Sequence, residues 1–311
     1  MELESINKES RKGLNFYKEG MKKEIKEEGM QNLIERDERG ENIRRAGFHF
    51  FLFSLLFFFG LQAQAGGGAT LDWHAIEARG DEKAVLVLCP GMNSDGIHFL
   101  KEQPWLDFAR ENRLGLIAIH FRSDPESLYG PEREGYYWPE QGSGPVLLSA
   151  IAAEYGAELP ILIYGFSGGA QFTSRFVEWV PERIVAWAAY SAQFWDSPRP
   201  SETNPPGIVA CGEYDGVRWH SSFSYFYEGR QLDKPWIWVS LPETGHYRHA
   251  ALEQFVRDFF ASVYNSAGPA TFADVESGEL FDAPDKSVQS ELLGIFPCDT
   301  LRKAWHDVHA F

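Results

Sequence analysis

The sequence predicts an α/β protein with a mostly parallel central sheet that is flanked by helices. Short apolar runs such as Ala84–Cys89 and Trp236–Leu241 alternate with segments of helical periodicity along residues 70–264. The chain has 311 residues, of which 44% are hydrophobic and 15% aromatic, which is enough for one large core. Strands that are apolar on both faces are typical of parallel sheets covered on each side. We therefore expect one catalytic-size domain over residues 70–264.

The predicted elements follow one another in strand and helix alternation. Consecutive apolar residues predict strands at Ala84–Cys89, Leu116–His120, Ile161–Tyr164, Ile184–Ala189, Ile208–Cys211 and Trp236–Leu241. Apolar residues three and four apart predict helices at Trp105–Asn112, Pro145–Tyr155, Ala170–Val180, Phe223–Gln231 and His249–Tyr264. Residues 265–311 are predicted to form a small C-terminal appendage, with a hairpin at Asp274–Leu280 and a helix at Asp299–Val308 capped by Asp299 or Thr300.

The first 65 residues differ from the rest of the chain. Residues 1–43 are dense in Lys and Glu, which predicts a solvated, disordered extension. Residues 44–65 fit a signal peptide, since Arg44-Arg45 precede the 14-residue apolar run Phe48–Leu61 and the small-x-small site Ala63-Gln64-Ala65. As a helix this run would be about 21 Å long, short of the roughly 30 Å hydrocarbon core. We expect a secreted or periplasmic protein after cleavage near Ala65, with a retained membrane anchor as the alternative.

The charge and the cysteine content limit which partners and cofactors the chain is expected to bind. Met1–Ala65 carries 11 basic and 11 acidic residues, so the whole formal charge of −16 lies beyond it. Such a surface repels nucleic acid and anionic lipid, and membrane contact is expected only transiently, through the signal segment. Three scattered cysteines are too few for a disulfide scaffold. The chain has neither a Cys-x-x-Cys pair nor two histidines at i, i+4 around a Glu, so no metal and no other cofactor is predicted.

The strongest motif is Gly165-Phe166-Ser167-Gly168-Gly169, which lies between a predicted strand and a predicted helix. A Gly-x-Ser-x-Gly sequence in this context predicts a nucleophile elbow with Ser167 at the tip of the strand. The turn is so sharp that the positions two before and two after the serine must be small, and glycine fills both. A plain glycine-rich turn is the alternative interpretation.

Two further candidates follow later strands. Asp215 comes after the strand at Ile208–Cys211, and His246 comes after the strand at Trp236–Leu241. Because catalytic groups gather at the carboxyl ends of parallel strands, Ser167, Asp215 and His246 are predicted to meet there. The rival residues are His249, Glu213 and His220.

In this order of Ser, acid and His, the chain resembles the α/β-hydrolase superfamily over about Ala84–Tyr264, and within it the secreted esterases and polyester-depolymerase-like proteins. The resemblance implies an α/β-hydrolase fold, a serine nucleophile at Ser167, a general base at His246 and an orienting acid at Asp215. His246 is favoured over His249 because Gly245 suits a tight loop, and the family pattern places the acid at Asp215 rather than Glu213.

The oxyanion hole is predicted to use the backbone amides of Gly168 and Met92. The first directly follows the serine at a helix start, and the second follows the earlier strand, where Pro90 has no N–H to offer. Aromatic residues in nearby loops, Tyr137, Trp138 and Trp195, are candidate substrate contacts, with ordinary packing under loops as the alternative. The short connection at residues 192–206 predicts an open pocket.

The predicted function is that of an exported serine hydrolase that cleaves a small or polymeric carboxylic ester through an acyl-enzyme. A serine peptidase or amidase on the same fold is one alternative. A binding protein that keeps the hydrolase fold without catalysis is the other.

Overall fold

The computed structural model of the chain describes residues 63–65, 69–130, 132–156, 158–193, 196–265 and 270–310. The predicted extension at residues 1–43 and the apolar run Phe48–Leu61 lie outside the described residues, so both stay predictions. Among the helices that the structure describes, none is both long and apolar enough to cross a membrane.

The centre of the molecule is an eight-stranded sheet in the order β1-β2-β4-β3-β5-β6-β7-β8. The pairings of β1 with β2 and of β2 with β4 are antiparallel, and all later neighbours run parallel. The strands are β1 (Ala63–Ala65), β2 (Ala69–Ala75), β3 (Ala84–Cys89), β4 (Leu114–Arg122), β5 (Ile161–Phe166), β6 (Ile184–Tyr190), β7 (Gly207–Gly212) and β8 (Trp236–Leu241). This sheet confirms the predicted α/β class.

Seven helices accompany the strands in the described part of the chain: α1 (Gln103–Glu111), α2 (Pro125–Tyr129), α3 (Ser143–Tyr155), α4 (Gly168–Trp179), α5 (Val217–Gln231), α6 (Ala250–Tyr264) and α7 (Asp299–Val308). Helix α4 packs on β5 and β6, whereas α5 packs on β7 and β8. Strands β3, β7 and β8 are buried at every residue, as expected for a sheet covered by helices.

The sequence did not predict β1 and β2. Strand β2 lies between two antiparallel neighbours and alternates buried and partly exposed residues at its start, so it lacks the continuous apolar run of the parallel strands. The short helix α2 was also missed, because five residues are too few to show a periodicity. The predicted helix at Asp299–Val308 is present, but its N-cap is Cys298 rather than Asp299 or Thr300.

The C-terminal appendage is a three-stranded antiparallel sheet followed by α7. Its strands are β9 (Thr271–Asp274), β10 (Leu280–Phe281) and β11 (Leu293–Phe296), with β9 in the middle. The predicted hairpin corresponds to β9 and β10. Buried Arg230 on α5 donates to the carbonyl oxygens of Leu293 and Ser290, which fixes the appendage to the main domain.

A buried histidine joins the appendage to β8. The Nδ1 atom of His309 accepts a hydrogen bond of 3.0 Å from the Ser240 amide, and its Nε2 lies 3.0 Å from the Val275 carbonyl oxygen. A ring that accepts at Nδ1 and donates at Nε2 is neutral. Burial lowers the pKa of His309 from 6.5 to about 4, because the charged form loses its hydration.

This histidine predicts a pH-dependent stability. The unfolded chain binds a proton near pH 6.5 and the folded chain only near pH 4, so the stability is full above 6.5 and falls as the pH drops to about 4. We expect the free energy of unfolding to lose about 3 kcal/mol more in the native protein than in His309→Gln, whose amide does not titrate. Denaturant titrations of both proteins between pH 7 and 4 measure the difference. Equal pH slopes would contradict the assignment.

Candidate active site

Ser167 lies in the turn between β5 and α4. Its backbone has φ 53° and ψ −118°, a conformation that a residue with a side chain rarely adopts. The Ser167 amide donates a hydrogen bond of 2.8 Å to the carbonyl oxygen of Tyr190 on the neighbouring strand β6. The strained turn therefore presents the serine at the carboxyl end of the sheet, where the sequence places it.

The glycines around Ser167 are required by close backbone contacts. A Cβ atom on Gly165 would lie 2.4 Å from the Gly169 carbonyl oxygen, and one on Gly169 would lie 2.2 Å from the Cys89 carbonyl oxygen. Contacts this short are not seen for real Cβ atoms, so no larger residue fits without movement of the backbone. The elbow is thus packed directly against the end of β3.

Asp215 follows β7 and is buried, with 6% of its surface exposed. One carboxylate oxygen lies 2.8 Å from Nδ1 of His246 and the other lies 3.3 Å from Nη1 of Arg218. The Cys211 thiol lies 3.7 Å from the first oxygen. Burial, followed by repulsion from this carboxylate, raises the pKa of Cys211 to about 12, so the sulfur stays protonated as a weak donor.

His246 lies in the loop after β8 and reaches both predicted partners. Its Nε2 atom is 2.8 Å from the Ser167 hydroxyl oxygen, and its Nδ1 is 2.8 Å from Asp215. An ionised carboxylate can only accept, so Nδ1–H donates to Asp215 and Nε2 is left to accept the serine proton. The Phe166 ring stacks on the imidazole at 5.2 Å between centroids and covers one of its faces.

The loop that carries His246 is fixed on both sides. The Tyr190 hydroxyl donates a hydrogen bond of 2.7 Å to the carbonyl oxygen of Tyr247, and the Tyr214 amide donates one of 2.9 Å to that of Thr244. The imidazole is therefore held by backbone contacts next to it as well as by Asp215.

The rival residues occupy other positions. His249 is the N-cap residue of α6. His220 is an exposed residue on α5, and the Glu213 carboxylate accepts a hydrogen bond of 2.9 Å from the Glu243 amide. The hydrogen-bonded chain runs through Ser167, His246 and Asp215 instead.

The two residues predicted for the oxyanion hole are neighbours. A Cβ atom on Gly168 would lie 2.6 Å from both the backbone nitrogen and the Cα of Met92. Gly168 is the first residue of α4, where helices leave backbone amides without an internal partner. The loop after Met92 is held in place because Asn93 and Ser123 exchange two hydrogen bonds, of 2.9 and 3.0 Å.

The aromatic residues predicted as substrate contacts are less exposed than that role suggests. Tyr137 is 1% exposed, and its hydroxyl lies 2.6 Å from the position of a Cβ on Gly168. Burial raises the pKa of Tyr137 well above its ordinary value. Trp138 is 4% exposed and packs against the guanidinium of Arg175 at 3.9 Å. Both rings fit the alternative of packing under loops, and Trp195 lies outside the described residues.

Residues that the sequence did not single out lie beside the acid and the histidine. Among the residues that the structure describes, the large apolar side chains Tyr214, Tyr247 and Val217 are exposed, at 69%, 53% and 51%. Tyr214 and Tyr247 are the direct chain neighbours of Asp215 and His246, so adjacency to the motif was the signal available. Arg218, which contacts Asp215, was also missed.

A second group of polar side chains lies elsewhere in the fold. In the described part of the chain, one nitrogen from each of His74 and His120 and one oxygen of Asp95 lie within 4.8 Å of one another. Two imidazoles and a carboxylate are metal ligands by chemistry. The sequence had predicted no metal site.

Comparison with known proteins adds solved structures of low sequence identity. A poly(aspartic acid) hydrolase from Sphingomonas sp. KT-1 is 16% identical over 65% of this chain and 97% of its own, with a TM-score of 0.48. A Bordetella parapertussis poly(3-hydroxybutyrate) depolymerase is 17% identical over 70% of this chain and 88% of its own, with a TM-score of 0.44. A Pyrobaculum calidifontis esterase is 12% identical over 67% of this chain and 84% of its own, with a TM-score of 0.49. No protein-family model and no curated protein sequence matches the chain.

The contacts of the elbow predict a difference between two glycines. Gly169→Ala places its Cβ against the Cys89 and Pro90 carbonyl oxygens at 2.2 and 2.4 Å, whereas Gly245→Ala meets only the Tyr247 ring at 3.7 Å or more. We expect Gly169→Ala to lose about 1–3 kcal/mol of unfolding free energy, or more, through overpacking. Gly245→Ala should stay within about 0.5 kcal/mol of the native protein. Denaturant unfolding measures both, and equal stabilities of the two variants would refute the packing argument.

Proposed function

We propose that the protein is a serine hydrolase that cleaves carboxylic esters through an acyl-enzyme on Ser167. The observation that supports this most is the continuous chain of two 2.8 Å hydrogen bonds from the Ser167 hydroxyl through His246 to Asp215. A serine hydroxyl is a weak nucleophile near neutral pH and needs a base within hydrogen-bond reach. The three residues come from separate loops at the ends of β5, β7 and β8.

Each residue has a defined part in the proposed reaction. As the Ser167 oxygen attacks the ester carbonyl carbon, Nε2 of His246 takes the hydroxyl proton, and it later returns that proton to the leaving alcohol. A water molecule then attacks the acyl carbon as His246 takes its proton, and the bond to Ser167 breaks as that proton passes to the serine oxygen, which releases the carboxylic acid. His246 is cationic between these steps, and the buried Asp215 carboxylate next to Nδ1 stabilises that charge.

The Asp215 carboxylate has several partners in this role. The Arg218 guanidinium at 3.3 Å supplies a positive charge, and the Cys211 thiol and His246 ring supply donors. These partners hold the carboxylate next to the imidazole. The acid therefore keeps His246 in the tautomer that has a free lone pair on Nε2.

The tetrahedral intermediate of this reaction carries a negative oxygen. The amides of Gly168 and Met92 are the proposed donors to it, since their backbones touch beside Ser167 and one of them begins a helix. The Cys89-Pro90-Gly91 sequence brings the Met92 amide to the end of β3, directly against the elbow.

The surroundings favour an uncharged ester over an anionic one. The side chains of Tyr214, Val217 and Tyr247 offer exposed apolar surface next to the acid and the histidine, and the formal charge of −16 repels anions. Export after cleavage near Ala65 is part of the proposal, and N-terminal sequencing of the secreted protein tests it. Such cleavage removes β1, which pairs with β2.

The nucleophile assignment predicts covalent labelling at one serine. A fluorophosphonate probe should label the native protein and Ser174→Ala, a buried serine variant on the same helix, but not Ser167→Ala. Turnover of short-chain p-nitrophenyl esters should fall by about 10⁴-fold or more in Ser167→Ala, because the nucleophile is lost. Peptide mapping of the labelled protein identifies the modified residue.

The outcomes of this experiment separate the alternatives. A native protein that takes up no probe would be a binding protein without catalysis. A protein that reacts with the probe but cleaves only peptide anilides would be a peptidase or amidase, and the ester proposal would then be wrong.

Substitutions of two neighbouring carboxylates test whether Asp215 is the acid that orients His246. Asp215→Asn should lower kcat for the same esters by about 10⁴-fold, since the amide no longer holds the imidazole in the useful tautomer. Glu213→Gln, which changes the rival acid two residues earlier, should leave kcat at the native value. A large loss in Glu213→Gln with an active Asp215→Asn would reverse the assignment.

A further inference from the structure

We propose that His74, Asp95 and His120 form a binding site for one divalent transition-metal ion, with Zn²⁺ as the best match. The three side chains come from β2, from the loop after β3 and from β4, and they are separated by more than twenty residues in the chain. The site is independent of the proposed hydrolase activity. It joins three segments of the chain, and none of its ligands belongs to the hydrogen-bonded series Ser167, His246 and Asp215.

The antiparallel pairing of β2 and β4 places both histidines on one face of the sheet. His74 lies opposite Ala118, and His120 lies opposite Asp72. Residues directly opposite in an antiparallel pair point to the same side, as do residues two apart on one strand. The imidazoles of His74 and His120 are therefore diagonal neighbours, and their rings are nearly parallel at 5.9 Å between centroids.

The loop after β3 delivers the carboxylate between them. Gly96 lies so close to β4 that a Cβ there would be 2.5 Å from the Ile119 carbonyl oxygen and 3.0 Å from the Ala118 Cβ. This approach brings the adjacent Asp95 over the strand at the position opposite His74. Asp95 also caps the following 3₁₀ turn by accepting from the Ile97 amide at 2.9 Å, so its side chain is held in place.

The distances are near those of a zinc site. Asp95 Oδ1 is 2.7 Å from His74 Nε2, Asp95 Oδ2 is 4.0 Å from His120 Nδ1, and a set of three ligand atoms lies within 4.8 Å. In a tetrahedron with metal–ligand bonds of about 2.0–2.1 Å, the ligand atoms are about 3.3 Å apart. The observed separations of 2.7 and 4.0 Å lie on either side of that value. Two nitrogens and one oxygen suit Zn²⁺ better than Ca²⁺ or Mg²⁺, which prefer oxygen alone.

The ring nitrogens of His120 have no hydrogen bond to the other two residues of the cluster. Its Nε2 is buried and has no hydrogen-bond partner in the described residues, and 4.0 Å from Nδ1 to Asp95 is too long for a hydrogen bond. Nδ1 is the ring nitrogen of His120 that lies nearer to Asp95, so a metal ion bound with His74 and Asp95 would take its lone pair. Nε2 would then carry the proton of the neutral imidazole. The side chain of Asp95 is 41% exposed, which leaves a side open for water as a further ligand.

Zinc binding is tested by equilibrium dialysis. Untagged full-length protein is first stripped with EDTA and then dialysed against ZnCl₂ and analysed for metal. We expect one zinc ion per chain, and an affinity that falls roughly 100-fold or more in His120→Ala and in His74→Ala, since each removes a direct ligand. His306→Ala, which removes an exposed imidazole of α7, is the matched control and should bind as the native protein does.

Thermal melting separates binding from a purely structural role. With zinc at about a hundredfold excess over its Kd, the native melting temperature should rise by about 5–10 °C. Asp95→Asn can still accept from the Ile97 amide but is a poor ligand, so it should melt near the native metal-free protein and show little rise with zinc. The proposal is wrong if zinc binds no more tightly to the native protein than to His120→Ala, or if His306→Ala loses the binding instead.

Discussion

The whole site depends on one close backbone contact, the packing of the turn at Ser167 against the end of β3. Gly165, Gly168 and Gly169 have no side chains, so the first turn of α4 can touch the Cys89 and Pro90 carbonyl oxygens and the Met92 backbone. The left-handed φ of Ser167 is tolerated because these contacts and the hydrogen bond to Tyr190 hold it there. The nucleophile and the proposed oxyanion donors are thereby fixed by the same few backbone atoms.

Tyr190 links this turn to the proton-accepting side of the site. Its carbonyl oxygen accepts from the Ser167 amide, and its hydroxyl donates to the Tyr247 carbonyl oxygen beside His246. One residue at the end of β6 thus sets the position of two loops that are 79 residues apart in the chain. Distances between side chains from different loops can be kept constant only if a rigid element lies between them, and the central parallel strands supply it.

The parts that the sequence predicted correctly have local signals. The strands at Ala84–Cys89 and Trp236–Leu241 have the bounds that their apolar runs indicated, and the glycines around Ser167 marked the elbow. The parts that it missed depend on contacts between distant residues. Strand β2 has no continuous apolar run, and the grouping of His74, Asp95 and His120 follows from the register of β2 on β4, which no local spacing reveals. The burial of Tyr137 and Trp138 is likewise a result of packing.

The C-terminal appendage also affects whether the edge of the large sheet can pair with a second molecule. Strand β8 is the last strand of the large sheet, and the outward groups of Trp238 and Ser240 are bonded to Trp305, His309 and Ala310. An exposed outer strand offers unpaired N–H and C=O groups to any passing extended chain, which is a common route to aggregation. Here the Trp305 ring and the Ala310 amide donate to the carbonyl oxygens of Trp238 and Ser240, and the His309 ring accepts from the Ser240 amide. Trp305, His309 and Ala310 therefore prevent this edge of the sheet from pairing with another strand.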